Sequence, residues 1–556
     1  MRFTLPATLL AGVAGAVLAL PAPSYAVAPD RGSARPAPRP GHAPKLSVDL
    51  KHGKHLISRD IYGVNFADGS FAKQVGLPVD RWGGNSTDTY NWQVRGSNHG
   101  QDYYFENFAV CWEPAFNYCQ SGHDYSAVDA HIERDRATHT TTLLTLPAMG
   151  WVAKDVAYTN TNSCSFPANV YDPQDDHDPY HPVCGNGKRN GAWVANPDPT
   201  QAGVAVGPAF SAAWMQSLIS RFGDAQHGGV GIYELGNEPA LWDDTHHDFH
   251  PTPTTYDELW QKSRDLAATV KATDPGAATL GPAEWGWPNY FCSAADNTDQ
   301  GCFPTSPDRA AHGGTPLAAW YLQQFASYQQ QTGHRLLDYF DLHYYPQGTY
   351  SPATDVTRSL YDSSYRDPSW INDKIDLIPR MRQWVKDNYP GTKTSVSEYN
   401  MGLDVASDAR TQNVIEADTL GLFGREGLDL ATFWPEDSSP VPTAAFKIFR
   451  NYDGRHHGFG DQGVKATSSD QRGLAVYAAR QGKHGTLTIV VVNKGSAALK
   501  ATVKLHHGKV RAGAKIKAFR YAGRKIAKAH GVHTSRRGLS MTFPALSVTL
   551  IAVPVR

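Results

Sequence analysis

The sequence predicts an α/β fold, a (β/α)8 TIM-like barrel with an appended antiparallel β-sandwich domain. Three observations carry that expectation. Eight short apolar or β-branched segments recur between residues 61 and 434, most of them followed by a helical pattern. Beyond Gly454, strand-like segments follow one another at short spacing across Gly, Lys and His turns. The charge also changes character along the chain. The total is −1, from 52 Lys+Arg against 53 Asp+Glu, yet residues 471–556 hold 17 Lys/Arg and no Asp or Glu, leaving −18 on residues 1–470. Such a split marks two physically different pieces. At 556 residues and 41% hydrophobic, the chain can bury a sizeable core, and its near-neutral total argues against a nucleic-acid binder.

The chain begins with a secretory signal pattern over residues 1–26. Arg2 supplies the positive start, Leu5 to Leu20 the apolar stretch, and Ser24-Tyr25-Ala26 the cleavage site. That stretch is short for a membrane span, and no later segment reaches about 18 apolar residues. Residues 27–44, rich in Pro, Ala and Arg, predict an extended disordered leader. A secreted, extracellular protein is therefore expected. Its cysteines, Cys111, Cys119, Cys164, Cys184, Cys292 and Cys302, are even in number and lack a C-x-x-C pair, which favours disulfides over zinc. Six cysteines allow fifteen pairings. Clustering along the chain favours Cys111–Cys119, Cys164–Cys184 and Cys292–Cys302.

The eight barrel strands are predicted at Ile61–Ala67, Val79–Gly83, Thr141–Met149, Val230–Gly236, Ala278–Glu284, Tyr339–Tyr345, Thr394–Tyr399 and Leu428–Trp434. Helices are predicted at Ser126–Thr138, Ala209–Phe222, Tyr256–Thr273, Pro316–Gln331, Ile371–Asn388 and Arg410–Arg425. The third shows the 3–4 apolar spacing well, in Leu259, Trp260, Leu266, Ala267 and Val270. A doubly wound open sheet is the alternative, but no Gly-rich phosphate turn follows an early strand. Sandwich strands are predicted at Leu474–Ala478, Leu487–Val492, Ala501–Leu505, Ile516–Tyr521, Leu539–Phe543 and Ser547–Val553. Residues 45–58 also read as strand, with no helix of their own, and are expected to join that sheet. The barrel is thus assigned to residues 59–454, and the sandwich to 45–58 plus 455–556.

Two strand ends carry chemistry. The fourth strand runs into Glu234-Leu235-Gly236-Asn237-Glu238-Pro239 and the seventh into Ser397-Glu398-Tyr399-Asn400. Groups at the C-terminal ends of barrel strands converge on one open face. Glu238 and Glu398 can therefore flank a bound sugar chain although they are far apart in sequence. Glycosidic cleavage needs such a pair, one carboxylic acid for the leaving oxygen and one carboxylate for the oxocarbenium-like carbon. A lone Glu would be an ordinary solvated or salt-bridged residue; two at barrel strand ends point to catalysis. Glu284 and Glu436 compete for the roles. Glu234 shares the strand side of Glu238 but lies deeper, as a buried partner for a basic group.

At this point the motifs Arg81–Gln93 (RWGGNSTDTYNWQ), Tyr103–Asn107 (YYFEN), Glu234–Trp242 (ELGNEPALW) with Thr245–Pro251 (THHDFHP), and Ser397–Asn400 (SEYN) together resemble glycoside hydrolase family 44. The resemblance runs from about Ile61 to Trp434. It implies a secreted endo-β-1,4-glucanase or xyloglucanase, with Glu238 as general acid/base, Glu398 as nucleophile and Asn237 as the partner of the sugar 2-hydroxyl. The family more often has Asp where this chain has Gly236.

Around that pair, Arg81 at the end of the second strand either holds Glu398 ionised or forms a structural ion pair beneath the mouth. Tyr344 or His343, near the end of the sixth, could supply a hydrogen bond to a carboxylate, and Tyr344 is preferred because a lone His is more often a satisfied core residue. Sugar faces stack on indole, so Trp434 is the first candidate platform, followed by Trp92, Trp151 and Trp287. The His-rich Thr245–His250 segment lacks the H-E-x-x-H arrangement of a catalytic zinc. Asp172–Asp178 could hold a structural Ca2+, but both segments read first as solvated polar loops; the resemblance implies that a structural metal can be carried, with no ligands assigned. No cofactor is required for catalysis.

The expected partner is a β-glucan polysaccharide, with no nucleic acid, no membrane and a monomeric chain. A xylanase of the same clan and a non-catalytic carbohydrate-binding barrel are the alternatives. The basic C-terminal region is expected to pack against the acidic barrel. Should its charges point outward instead, adhesion to anionic surfaces becomes the better reading.

Overall fold

A computed structural model describes residues 44–110, 126–156, 163–296, 301–346, 348–482, 485–536 and 538–556. The signal and leader segments and the Cys111–Cys119 pairing lie outside the described residues. Eight parallel strands close a barrel in sequence order: β1 Gly63–Asn65, β2 Val79–Trp82, β3 Thr141–Leu146, β4 Ile232–Leu235, β5 Ala278–Glu284, β6 Tyr339–Tyr344, β7 Lys393–Tyr399 and β8 Leu430–Phe433. All eight fall within or beside the predicted segments. Their residues are buried almost without exception, as expected of parallel strands covered by helices on one side and packed against one another on the other.

The predicted helices appear as Ala127–Thr138, Pro208–Phe222, Tyr256–Thr273, Leu317–Thr332, Leu377–Asn388 and Ala409–Glu426. A capping box between Ser126 and Asp129 starts the first, satisfying N-terminal amides that have no partner within the helix. The fifth begins six residues later than expected. Two short helices, Gly69–Val75 and Thr443–Arg450, complete the outer layer behind β1 and β8. The disulfides Cys164–Cys184 and Cys292–Cys302 are both formed, with Cα separations of 5.8 and 5.9 Å. Among the described residues, no helix is long and apolar enough to cross a membrane.

Beside the barrel stand a seven-stranded and a five-stranded sheet. The N-terminal strand Lys45–Asp49 inserts into the smaller one, antiparallel to Lys465–Ser468 and parallel to Leu499–His506. That parallel pair is the exception in otherwise antiparallel sheets. The strands Leu474–Arg480, Leu487–Asn493 and Ser547–Val553 are buried on both faces and divide their side chains between two cores. Ala475, Tyr477, Val490, Val492, Val548 and Leu550 belong to the barrel's core. Leu474, Val476, Ile489, Val491 and Ile551 face the five-stranded sheet. The unbroken apolar run Leu487–Val492 is thus explained by two buried faces.

Polar contacts tie the two parts together at several points, among them Tyr477 with Asp418 and Arg410 with the Leu546 carbonyl. Lys494 pairs with the buried Asp418 at 2.6 Å and Arg472 with Asp355 at 2.6 Å. These two ion pairs join basic residues of the C-terminal part to barrel carboxylates, while other basic residues of that part face solvent. Lys500, Lys504, Lys515, Lys517, Arg524, Lys525, Lys528 and Arg536 are exposed.

Candidate active site

The residues at the C-terminal end of the barrel are held by backbone features that the local sequence encodes. Beyond β4, Gly236 adopts φ +87°, with a hypothetical Cβ only 2.7 Å from Ala148 Cβ, so glycine is required there. Glu238 follows with φ 45° and ψ 56°, a left-handed conformation costly for a non-glycine residue and often found at functional sites. Asp88 braces this turn, accepting hydrogen bonds from the Asn237 and Ala148 backbone N–H groups and from the Trp242 indole, each at 2.8 Å. The support comes from Asp88 in the Arg81–Gln93 motif, and position 236 needs no side chain.

Arg81 is fully buried and organises the centre. Its guanidinium lies 2.8 Å from Glu234, donates to Glu398 Oε1 at 2.7 Å, and donates to Asn65 and Asn237 at 2.9 and 2.8 Å. Both readings of Arg81 hold: it pairs with Glu398 and forms a structural ion pair with Glu234. The two glycines after it have separate reasons. A Cβ on Gly83 would lie 2.1 Å from the Arg81 Cζ, and one on Gly84 2.7 Å from the Trp434 indole.

His343 joins the two carboxylates. Its Nδ1 lies 2.8 Å from Glu238 Oε1 and 3.6 Å from Glu398 Oε2, while Nε2 meets Ser397 Oγ at 3.1 Å. One oxygen of each glutamate and a His343 nitrogen lie within 4.8 Å of one another. The Tyr345 hydroxyl donates to Glu398 Oε2 at 2.9 Å. The preference for Tyr344 is therefore corrected. Side chains alternate along a strand, so His343 and Tyr345 point into the mouth. Tyr344 points outward, with Ser359, Tyr350 and Asp367 as its polar neighbours.

These contacts push the two glutamates in opposite directions. Burial raises the Glu238 carboxyl above its usual range and the Glu398 charge adds to that, against the pull of His343. Burial also acts upward on Glu398, but His343 and Arg81 outweigh it and hold this carboxyl below its usual value. Burial alone would lower the His343 imidazole; the two carboxylates overcome it and lift the group to about 9. Glu284, at the end of β5, is pushed to about 8 by burial and then by Glu238, so it is a neutral acid at pH 7.

Comparison with known proteins places this geometry. The sequence model of glycoside hydrolase family 44 matches residues 96–348. The structure of CelM2, a bifunctional glucanase-xylanase from a metagenome library, superimposes with a TM-score of 0.85 at 36% identity, covering 92% of this chain and 99% of that one. The chain belongs to glycoside hydrolase family 44. A family 44 xyloglucanase from Paenibacillus polymyxa aligns at 26% identity with a TM-score of 0.74, over 92% of this chain and 99% of that one. Endoglucanase A of Paenibacillus lautus is 27% identical over 529 residues, 90% of this chain and 71% of that one.

In this family 44 enzyme, Trp434 is half-buried at the barrel mouth, donating its indole N–H to Glu436 at 2.8 Å. Trp151 is half-buried and stacks on Phe249. Trp92 is packed against Phe210. Trp287 is buried beside Tyr290 and Phe291, under the Arg380 guanidinium, and is corrected from platform to core. Trp285 and Trp370, outside the ranked platform candidates, are parallel within 7° at a centroid distance of 5.9 Å, with Trp370 44% exposed. Trp285 immediately follows the last residue of β5.

The residues of Thr245–His250 take separate partners. His246 approaches the Asn85 carbonyl, His247 stacks on Trp193 and His250 pairs with Glu258. From Asp172–Asp178, Asp178 joins Glu106 and His181 in a largely buried group, the imidazole 3.3 Å from each carboxylate. Their ligand atoms lie within 4.8 Å of one another, an oxygen-rich donor set that fits a divalent cation.

Proposed function

We propose that this chain is a secreted, retaining endo-β-1,4-glucanase acting on β-1,4-glucan or xyloglucan by double displacement, with Glu238 as general acid/base and Glu398 as nucleophile. The observation that carries the reading is the opposed environment of two glutamates whose nearest oxygens lie within 4.8 Å. Retaining enzymes hold their carboxyls about 5–5.5 Å apart, whereas inverting ones leave about 6.5–9.5 Å for a water. Two carboxyls with pKa values pushed apart also separate the acid role from the nucleophile role.

In the first step Glu238 gives its proton to the glycosidic oxygen as that bond breaks. A Glu398 oxygen bonds to the anomeric carbon, forming a glycosyl ester. Arg81 and Tyr345 keep Glu398 ionised and oriented until then. In the second step Glu238, now ionised, takes a proton from water, which attacks the same carbon and releases Glu398. Two inversions give retention. Asn237, fixed by Arg81 and Asn85, is placed to meet the sugar 2-hydroxyl. Trp434 and the Trp285–Trp370 pair offer indole faces for the chain. The P. polymyxa relative is also known with xyloglucan bound, which supports a polysaccharide substrate. The two disulfides support export, and N-terminal sequencing of the mature protein from culture medium tests it.

The expected result is that Glu238→Gln and Glu398→Gln each lower hydrolysis of soluble β-glucan by about 10²–10⁴-fold or more while the melting curve is kept. Full activity in either variant would overturn the assignment, and initial release of the α-anomer, followed by NMR, would overturn retention. A second reading, xylan as co-substrate, rests on the glucanase-xylanase CelM2. A panel of β-glucan, xyloglucan, xylan and mannan with product sizing separates the two and distinguishes endo from exo cleavage.

A further inference from the structure

The sandwich surface carries a feature that the hydrolytic site does not use. The hairpin joining the strands Lys517–Tyr521 and Ala527–Lys528 forms an open groove of about 330 Å³, lined by Arg520, Arg524, Lys525, Lys528 and His530 with only alanines between them. Arg520 forms its floor, donating to Thr549 Oγ1 at 2.9 Å and to the Thr542 carbonyl at 2.8 Å. Arg524, Lys525 and Lys528 are exposed. Among the described residues none of these cations is in an ion pair, and no carboxylate side chain occurs anywhere after Asp470.

The position of the groove matters as much as its charge. The hairpin tip abuts Arg410: a Cβ on Gly523 would lie 2.8 Å from the Arg410 Cδ. Arg410 also donates to the Leu546 carbonyl at 2.8 Å. Arg410 stands at the start of the helix Ala409–Glu426 that follows β7. In a (β/α)8 barrel that end of the helix lies on the same face as the strand ends, so the hairpin tip lies toward the end of the barrel bearing Glu238 and Glu398.

We propose that this groove binds an acidic polysaccharide, a chain bearing uronate carboxylates, and so anchors the enzyme beside its neutral substrate. The lining selects among polyanions. Its one ring is that of His530, where single-stranded nucleic acid needs a row of rings for successive bases to stack on, and it offers no large apolar side chain to enter a bilayer. Guanidinium and ammonium groups against carboxylates remain as the complementary chemistry.

The test is affinity electrophoresis of the full chain in gels containing polygalacturonate, with hydroxyethyl cellulose, single-stranded DNA and phosphatidylglycerol vesicles as comparators. Retardation by polygalacturonate is expected at low salt and is lost by about 0.5 M NaCl, where screening is short-ranged. R524E/K525E/K528E is expected to weaken binding by about tenfold or more, with hydrolysis of a neutral soluble glucan unchanged. R524Q/K525Q/K528Q gives an intermediate loss and covers a misfolded charge reversal, which a melting curve reveals. K500E/K504E, on the five-stranded sheet, is expected to retain binding. Absence of retardation, tighter binding to DNA or vesicles, an unaffected triple variant, or an equal loss in K500E/K504E would each overturn the proposal.

Discussion

Glu238 and Glu398 are chemically identical side chains, and burial together with their neighbours drives them apart. Arg81 and Tyr345 donate to Glu398, Glu284 stands by Glu238 as a neutral acid, and His343 touches both. Activity should therefore rise as Glu398 ionises, below the usual carboxylate range, and fall as Glu238 loses its raised proton. Tyr345→Phe removes one charge-assisted hydrogen bond from Glu398. It is expected to cut kcat by about tenfold or more and to move the acidic limb of the kcat/KM profile to higher pH. Tyr344→Phe is expected to leave the profile in place; the reverse pattern would reassign the two tyrosines. The glutamates and Arg81 were legible in the sequence because each ends a recognisable strand. His343 and Tyr345 were less so, since choosing between adjacent residues needs the phase of a strand, and a slip of one residue inverts it.

Among the elements, the barrel strands were the most legible, since parallel strands buried on all sides read as apolar runs between turns. The two short helices, Gly69–Val75 and Thr443–Arg450, gave too few turns for a periodic pattern to emerge. The long loops were hardest, because their structure rests on links distant in sequence. The segment closed by Cys164–Cys184 illustrates this. Its Asp178 meets Glu106 and His181, and a divalent cation held there by Glu106 and Asp178 would join the β2–β3 and β3–β4 loops. Chelation is therefore expected to lower the thermal midpoint by several degrees and to leave kcat unchanged below the transition. An unchanged midpoint in calorimetry, or loss of activity reversed by metal, would contradict that structural role.

For the whole molecule, buried carboxyls make stability depend on pH. Glu416, in the helix between barrel and sandwich, accepts a hydrogen bond from Tyr399 at 2.8 Å, and burial pushes it from 4.5 to about 8. A proton bound more tightly in the folded state contributes stability that is complete below the unfolded value and is lost as pH rises to the folded one. The thermal midpoint of Glu416→Gln is thus expected to match the wild type near pH 4.5 and to exceed it increasingly toward pH 8. A parallel offset at all pH values would show that Glu416 is not the titrating group.

The same helix lies against strands whose alternate residues serve two different cores. The border between catalytic and accessory parts is consequently a surface running lengthwise through three strands. No cut in the chain can follow it: a truncation near residue 455 would strip the barrel of one of its own walls, so the accessory part is better regarded as masonry than as cargo.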